Sequence, residues 1–258
     1  MIDLKGKHYL VAGVANKNSI AWGVTESLLR AGATVALTYQ NERLGERVLA
    51  LAAEQTPPLD THEMDATSKQ QVEEVFGKLQ DKWGKLDGLV HSIAYAPRED
   101  LQPGITRTPA ENYLLSLHIS SYTLIELTRA AMPLFEAAGG GSVITMSYNA
   151  TKVFPNYNLM GIAKATLEQS MKYLAWDVGR KNVRVNAVSA GPVKTLAARG
   201  IGGFTDMFEQ AAKMAPLGRN VTLEEIGNAS AFLLSPLANG ITGQVLFVDN
   251  GQNIIGAG

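Results

Sequence analysis

Residues 8–23 read HYLVAGVANKNSIAWG. A nearly unbroken apolar run over 8–14 meets a glycine, then a polar stretch, then an amphipathic segment that begins at Ser19. Apolar residues at consecutive rather than alternate positions mark a strand covered on both faces, and therefore a parallel sheet. A strand that passes through a glycine-bounded turn into a helix is the opening half of a βαβ unit. Gly13 and Gly23 bracket that turn. Backbone N–H groups and the positive helix end there can receive a pyrophosphate, with Gly13 allowing close backbone approach. Ser19 adds a hydroxyl, and Ile20 stands beside it at the helix start. The full G-x-G-x-x-G spacing is absent, because Ala15 and Lys17 occupy places where glycines would stand. A plain βα turn fits the same letters, so the rest of the chain has to decide.

The rhythm continues to the end. HYLVAGV (8–14), TVALTY (34–39), THEMDA (61–66), GLVHSIA (88–94), GSVITMS (141–147), VRVNAVSAG (183–191) and QVLFVDN (244–250) read as strands. Helix-like segments lie near 20–31, 41–55, 68–83, 110–138, 157–178 and 222–234, with starts at Thr67 or Ser68 and at Thr222. Alternation of this kind predicts an α/β, Rossmann-like doubly wound, seven-stranded and mostly parallel sheet with helices on both faces. No linker, repeat or low-complexity stretch interrupts it, so residues 1–258 read as one domain. The irregular part is 192–220, where Gly200, Gly202 and Gly203 break a segment carrying Leu196, Ile201, Phe204, Met207 and Phe208. That composition suits a lid with an apolar inner surface.

Composition narrows the function. The 258 residues are 46% apolar and 18% charged, with a net charge of −1, which argues against nucleic acid or an acidic membrane as the main partner. With no cysteine, disulfides, thiolate nucleophiles and Cys-type zinc sites are excluded. The four histidines, His8, His62, His91 and His118, lack ligand spacing, so no metal is expected. The start of the chain has no secretory pattern and no run reaches membrane-spanning length, which predicts a cytoplasmic protein.

The end of the second strand, TYQNER (38–43), places Gln40 where such folds hold the adenosine ribose. An amide binds hydroxyls without offering charge to a phosphate, which favours NADH; Arg43 nearby keeps NADPH open. Asp65 and Ala66, closing the third strand, suit an adenine contact, although an Asp before a helix is equally a cap. Farther on, NYNLMGIAK (156–164) sets Tyr157 seven positions before Lys164, almost two helical turns, so the two project from one face.

Taken together these pieces resemble the short-chain dehydrogenase/reductase superfamily, and within it the divergent branch of bacterial enoyl-[acyl-carrier-protein] reductases. The stretches that carry the resemblance are GVANKNSIAWG, TYQNER, HSIAYAP (91–97), HISSY (118–122), PNYNLMGIAKA (155–165), RVNAVSAGPVKTLAARGI (184–201) and VTLEEIGNASAFLLS (221–235). Ordinary superfamily members carry Tyr-x3-Lys and Asn-Ala-Gly; the Tyr-x6-Lys and His91-Ser-Ile-Ala found here are marks of the branch. The resemblance implies reduction of a trans-2-enoyl thioester by NADH in type II fatty-acid synthesis. It implies that Tyr157 stabilises the enolate and Lys164 holds the nicotinamide ribose, with Tyr148 as a second active-site tyrosine. Eight residues separate Tyr148 from Tyr157 where the branch commonly has nine, which leaves the role of Tyr148 open. It further implies that Ile93 lines the nicotinamide pocket, Ala96 the thioester end, and Val193, Lys194, Thr195, Leu196 and Ala197 the amide and pyrophosphate. His91 and His118 read as structural. An acyl carrier protein is the implied partner, met by a rim with four basic residues (Lys194, Arg199, Lys213, Arg219) against Asp206 and Glu209, and a homotetramer is the implied assembly. A ketoreductase of the same superfamily and a non-catalytic dinucleotide sensor are the alternatives.

Overall fold

The computed structural model describes residues 2–102 and 104–256. Strands β1 (His8–Ala12), β2 (Thr34–Tyr39), β3 (Asp60–Glu63), β4 (Gly88–His91), β5 (Gly141–Ser147), β6 (Val183–Ala190) and β7 (Val245–Val248) form one sheet in the order β3-β2-β1-β4-β5-β6-β7. Every neighbouring pair is parallel. The chain winds outward from β1 to β3, then restarts at β4 on the other side of β1. Between the carboxyl ends of β1 and β4 the winding direction reverses, and this is where open α/β sheets hold ligands.

Alternate residues of each strand feed two cores. Leu10, Ala12, Leu89, Val143 and Val185 pack with α3 (Lys69–Trp83), α5 (Thr123–Ala137) and α6 (Asn158–Val178). Tyr9, Val11, Val90, Ile144 and Val188 pack with α1 (Ile20–Arg30), α2 (Glu42–Ala53) and α8 (Leu223–Leu234). This two-sided burial is the reason the strands read as continuous apolar runs. Each leucine sealed this way contributes about 1.5–3 kcal/mol. β3, at the sheet edge, is polar (DTHE) and shorter than its sequence suggested.

Local signals set the helix starts. Ser68 accepts from the Gln71 N–H to cap α3, and Thr222 and Glu225 form a reciprocal capping box on α8. Gly23 does not bound the turn after β1 as expected. It lies within α1, where a Cβ would meet Leu223 of α8, its carbonyl carbon 3.1 Å away. Gly227 returns the contact, since a Cβ there would come within 2.9 Å of the Gly23 carbonyl carbon. Bare backbone on both sides lets the two helices cross at close range.

The helix expected over 110–138 is two helices, α4 (Ala110–Leu117) and α5, joined by a π-turn over His118–Tyr122. The expected lid also has more order than its glycines suggested. Within it Phe204–Met214 is a helix, α7, entered through Gly203 at φ 70°. Among the described residues no helix is long and apolar enough to cross a membrane.

Candidate active site

A cleft of about 540 Å³ opens at the β1/β4 reversal. β1 delivers Gly13 at φ 100°, a conformation glycine adopts without steric cost. Its N–H reaches the Thr38 carbonyl at 3.4 Å, which ties the turn to β2. Ser19 precedes α1 without capping it, and no acidic residue stands in the first turn. The helix N-terminus therefore presents uncapped N–H groups and its positive dipole end to the cleft. The Ser19 hydroxyl donates to the Asn16 carbonyl at 2.6 Å, which leaves its oxygen as an acceptor. Ile20 lines the adjacent wall, and Gln40 and Asp65–Ala66 line the far end. The Asp65 carboxylate is held locally, accepting from Thr67 N–H and Oγ1 at 2.9 and 2.7 Å.

At the opposite end α6 delivers Tyr157 and Lys164. Lys164 is 6% exposed, and its Nζ donates to the Met146 carbonyl at 2.7 Å. Burial lowers the ammonium to about 8, opposed by the nearby Glu168 carboxylate. Tyr157 occupies the position before α6 and meets Tyr148 edge to face, with ring centroids 5.2 Å apart. Burial, then the neighbouring Tyr148, holds the Tyr157 phenol well above the ordinary tyrosine range. The Tyr148 hydroxyl is buried with no hydrogen-bond partner among the described residues, and burial, then Asp249, pushes it up to about 12. Tyr148 also walls a second cavity of about 260 Å³ that reaches Asp249 and Lys152. The loop after it closes through a tight turn, Asn149 accepting from Thr151 Oγ1 at 2.6 Å. Lys152 then leans on the C-terminal segment, donating to the carbonyls of Asn253 and Ile255.

The segment after β4 carries Ile93 and Ala96 into the cleft. Ser120, in the π-turn, accepts from the Tyr95 N–H at 2.9 Å and donates to the Tyr95 carbonyl at 3.0 Å, pinning that segment from both sides. His91 lies fully buried between Thr145 and Thr123, 2.9 Å from each. Thr123 spends its proton on the Ile119 carbonyl, so it accepts from His91 Nε2–H, and Nδ1 accepts from Thr145. Burial lowers this imidazole to about 3 and fixes it neutral. Ser120 lies in the π-turn and Thr123 directly follows it, so both anchors come from the place where the helix departs from α geometry, in keeping with where such bulges occur.

Val193, Thr195, Leu196 and Ala197 line the cleft after β6, and Ile201, Phe204 and Met207 close it from the lid side. Lys194 does not line it. Its ammonium sits 4.8 Å from the Phe208 ring centroid on α7, and the side chain is exposed. Of the expected basic rim, Arg219 is engaged by Glu225 at 2.5–2.9 Å, and the Arg199 side chain lies outside the described residues. Sequence reasoning overlooked Ser147 and Glu168, which join at 2.6 Å behind Lys164. The i, i+4 spacing of Lys164 and Glu168 was the available signal.

The donor set fits a dinucleotide: an amide at one end, an uncapped helix terminus midway, an ammonium and two phenols at the other. The family model for enoyl-(acyl carrier protein) reductase matches residues 13–253. An enoyl-[acyl-carrier-protein] reductase [NADH] of Nostoc sp. is 44% identical over 259 residues, covering 99% of this chain and 100% of that protein. The crystal structure of the Bacillus cereus enoyl-acyl carrier protein reductase with NADP+ and an indole naphthyridinone aligns with TM-score 0.96 at 40% identity, covering 100% of both chains. The Anaplasma phagocytophilum reductase in complex with NAD aligns with TM-score 0.93 at 41% identity, covering 98% of this chain and 96% of that one. With its reversal-point cleft, its Tyr-x6-Lys pair and full-length likeness to these proteins, the chain belongs to the enoyl-[acyl-carrier-protein] reductase family.

Proposed function

We propose that this chain is the NADH-dependent enoyl-[acyl-carrier-protein] reductase of type II fatty-acid synthesis, with Tyr157 and Lys164 as its catalytic pair. The observation that carries the reading is that both side chains converge on one cleft with the uncapped start of α1. When bound, NADH supplies the hydride that the β carbon of a trans-2-enoyl thioester accepts. Negative charge then grows on the thioester oxygen. Tyr157, kept protonated far above neutral pH by its burial, donates a hydrogen bond there as the charge develops. Lys164 holds the nicotinamide ribose hydroxyls and lends positive potential. Ile93 and Thr195 contact the nicotinamide end, Ala96 the thioester, and Gln40 the adenosine ribose. The free N–H groups at the start of α1, from Ile20 on, take the pyrophosphate, with Gly13 admitting it close to the backbone and the Ser19 hydroxyl turning from the Asn16 carbonyl to donate to it. The neutral Gln40 favours NADH, although the related Bacillus cereus protein was crystallised with NADP+. Tyr148 serves as a second wall of the substrate pocket, its hydroxyl held back from solvent. Ile201, Phe204 and Met207 cover the acyl chain and keep water out.

The whole chain acts as one reductase domain with its lid near 192–220, working in the cytoplasm on substrate delivered by acyl carrier protein. Self-association into a homotetramer is supported by the aromatic face of α6, where Tyr173 and Trp176 are 70% and 83% exposed. Loss of NADH absorbance with a crotonyl thioester tests the reaction, and Tyr157→Phe tests the donor. Removal of one such donor typically costs about 10²–10³ in turnover. Turnover unchanged in Tyr157→Phe would remove the enolate contact from that residue.

A further inference from the structure

Lys164 and Glu168 stand one turn apart on the same face of α6, and both reach the last two residues of β5. Lys164 Nζ donates to the Met146 carbonyl at 2.7 Å, while Ser147 Oγ donates to Glu168 Oε1 at 2.6 Å. Ser147 is 5% exposed and Glu168 8%. A carboxylate is seldom buried this far without a charge to answer it, and the charge it faces is Lys164. The two tethers also fix the strand end from which Tyr148 departs.

We propose that Glu168 is the positioning residue for Lys164: tied to Ser147, its carboxylate holds the lysine's positive charge and keeps the Met146 carbonyl where it aims the ammonium into the cleft. This rests on the reading of Lys164 as the residue that holds the cofactor. The other titratable groups facing Lys164 do not substitute for the carboxylate. His91, from β4, is neutral with both nitrogens engaged, and Tyr157 and Tyr148 remain protonated well beyond neutral pH. Without Glu168, burial alone acts on the ammonium, and it loses its proton at lower pH.

The test is NADH affinity, read by fluorescence titration of the full-length protein between about pH 6 and 9. In the parent, affinity is expected to fall as pH rises past the lowered Lys164 value of about 8. In Glu168→Gln the break moves down by about one pH unit or more, with affinity near the parent's recovered below it. A Glu168→Gln profile that superposes on the parent's overturns the proposal. If that variant fails to fold, Ser147→Ala decides, since it cuts the tether and keeps the carboxylate. It is expected to weaken NADH binding by about threefold or more at neutral pH, and parental affinity overturns the positioning role. Lys164→Met separates the two readings. Unchanged affinity there removes Lys164 from the cofactor site and the proposal with it, whereas lost affinity alongside an unshifted Glu168→Gln profile removes Glu168 alone.

Discussion

Replacing Gly13 with alanine puts a methyl group where β1 and β4 come together. A Cβ at this position would stand 2.8 Å from the Ser92 carbonyl carbon, closer still to its oxygen, and 3.2 Å from Ile93 Cγ1. The obstacle is strand-end backbone, which moves only if the sheet end opens. Two costs add. An L-residue in left-handed backbone loses about 1–2 kcal/mol, and overpacking a tight site typically costs about 1–3 kcal/mol, so the sum is about 2–5 kcal/mol. Against a total stability of about 5–15 kcal/mol this is severe but survivable. With a urea dependence near 3 kcal/mol per molar, the unfolding midpoint is expected to fall by about 0.7–1.7 M. Relief of the clash displaces Ile93, so NADH affinity, measured below the transition, is expected to weaken by about tenfold or more. A variant with parental midpoint and affinity would refute the close-approach reasoning. A lowered midpoint with parental affinity would keep the packing argument and remove the turn from the cofactor site.

Gly77 is the converse case. It lies inside α3 with nothing within 4 Å of where an alanine methyl would stand, so Gly77→Ala is expected to stabilise by about 0.5–1 kcal/mol in urea titration; destabilisation would contradict the open space. Asn156 adopts φ 61° and its amide donates to the Gly202 carbonyl at 3.1 Å. Asn156→Gly keeps the backbone and cuts this tie between the tyrosine helix and the lid. Faster proteolysis within the lid and a raised KM for the enoyl thioester at unchanged NADH affinity are expected; equal cleavage rates would deny the tie. For His91, burial lowers the folded value from 6.5 to about 3, so the unfolded chain takes up the proton first. The stability from this group is complete above pH 6.5 and is lost as pH falls toward 3, about 2 kcal/mol of it by pH 5. Urea midpoints measured at about pH 7 and about pH 5 are expected to draw together in His91→Gln, and an undiminished acid slope would assign the effect elsewhere.

Strands buried on both faces write themselves into a sequence as continuous apolar runs, and this is why the sheet and its parallel sense were legible from GLVH and VRVNAVSA. The Tyr157–Lys164 face was legible for a similar reason, because helical spacing alone brings the pair to one side. Other features depend on contacts distant in sequence. The π-turn at 118–122 has no periodic signature, since one extra residue is absorbed by bonds from Ser120 to Tyr95 and from Thr123 to His91. Lys194 sits amid cleft residues in sequence yet is drawn onto Phe208 by a helix that the glycines of the lid disguised. Ser147 and Glu168 are 21 residues apart, and only the docking of α6 on β5 joins them.

The crossing of α1 and α8 through Gly23 and Gly227 sets a schedule for biosynthesis. Those glycines are 204 residues apart, so at about 5–20 residues per second the ribosome takes about 10–40 s to make the second after the first. Throughout that interval α1 lacks the α8 glycine that covers its bare face. Cofactor present at the ribosome would therefore meet an unfinished site, and the enzyme's first-made helix is among the last to find its place.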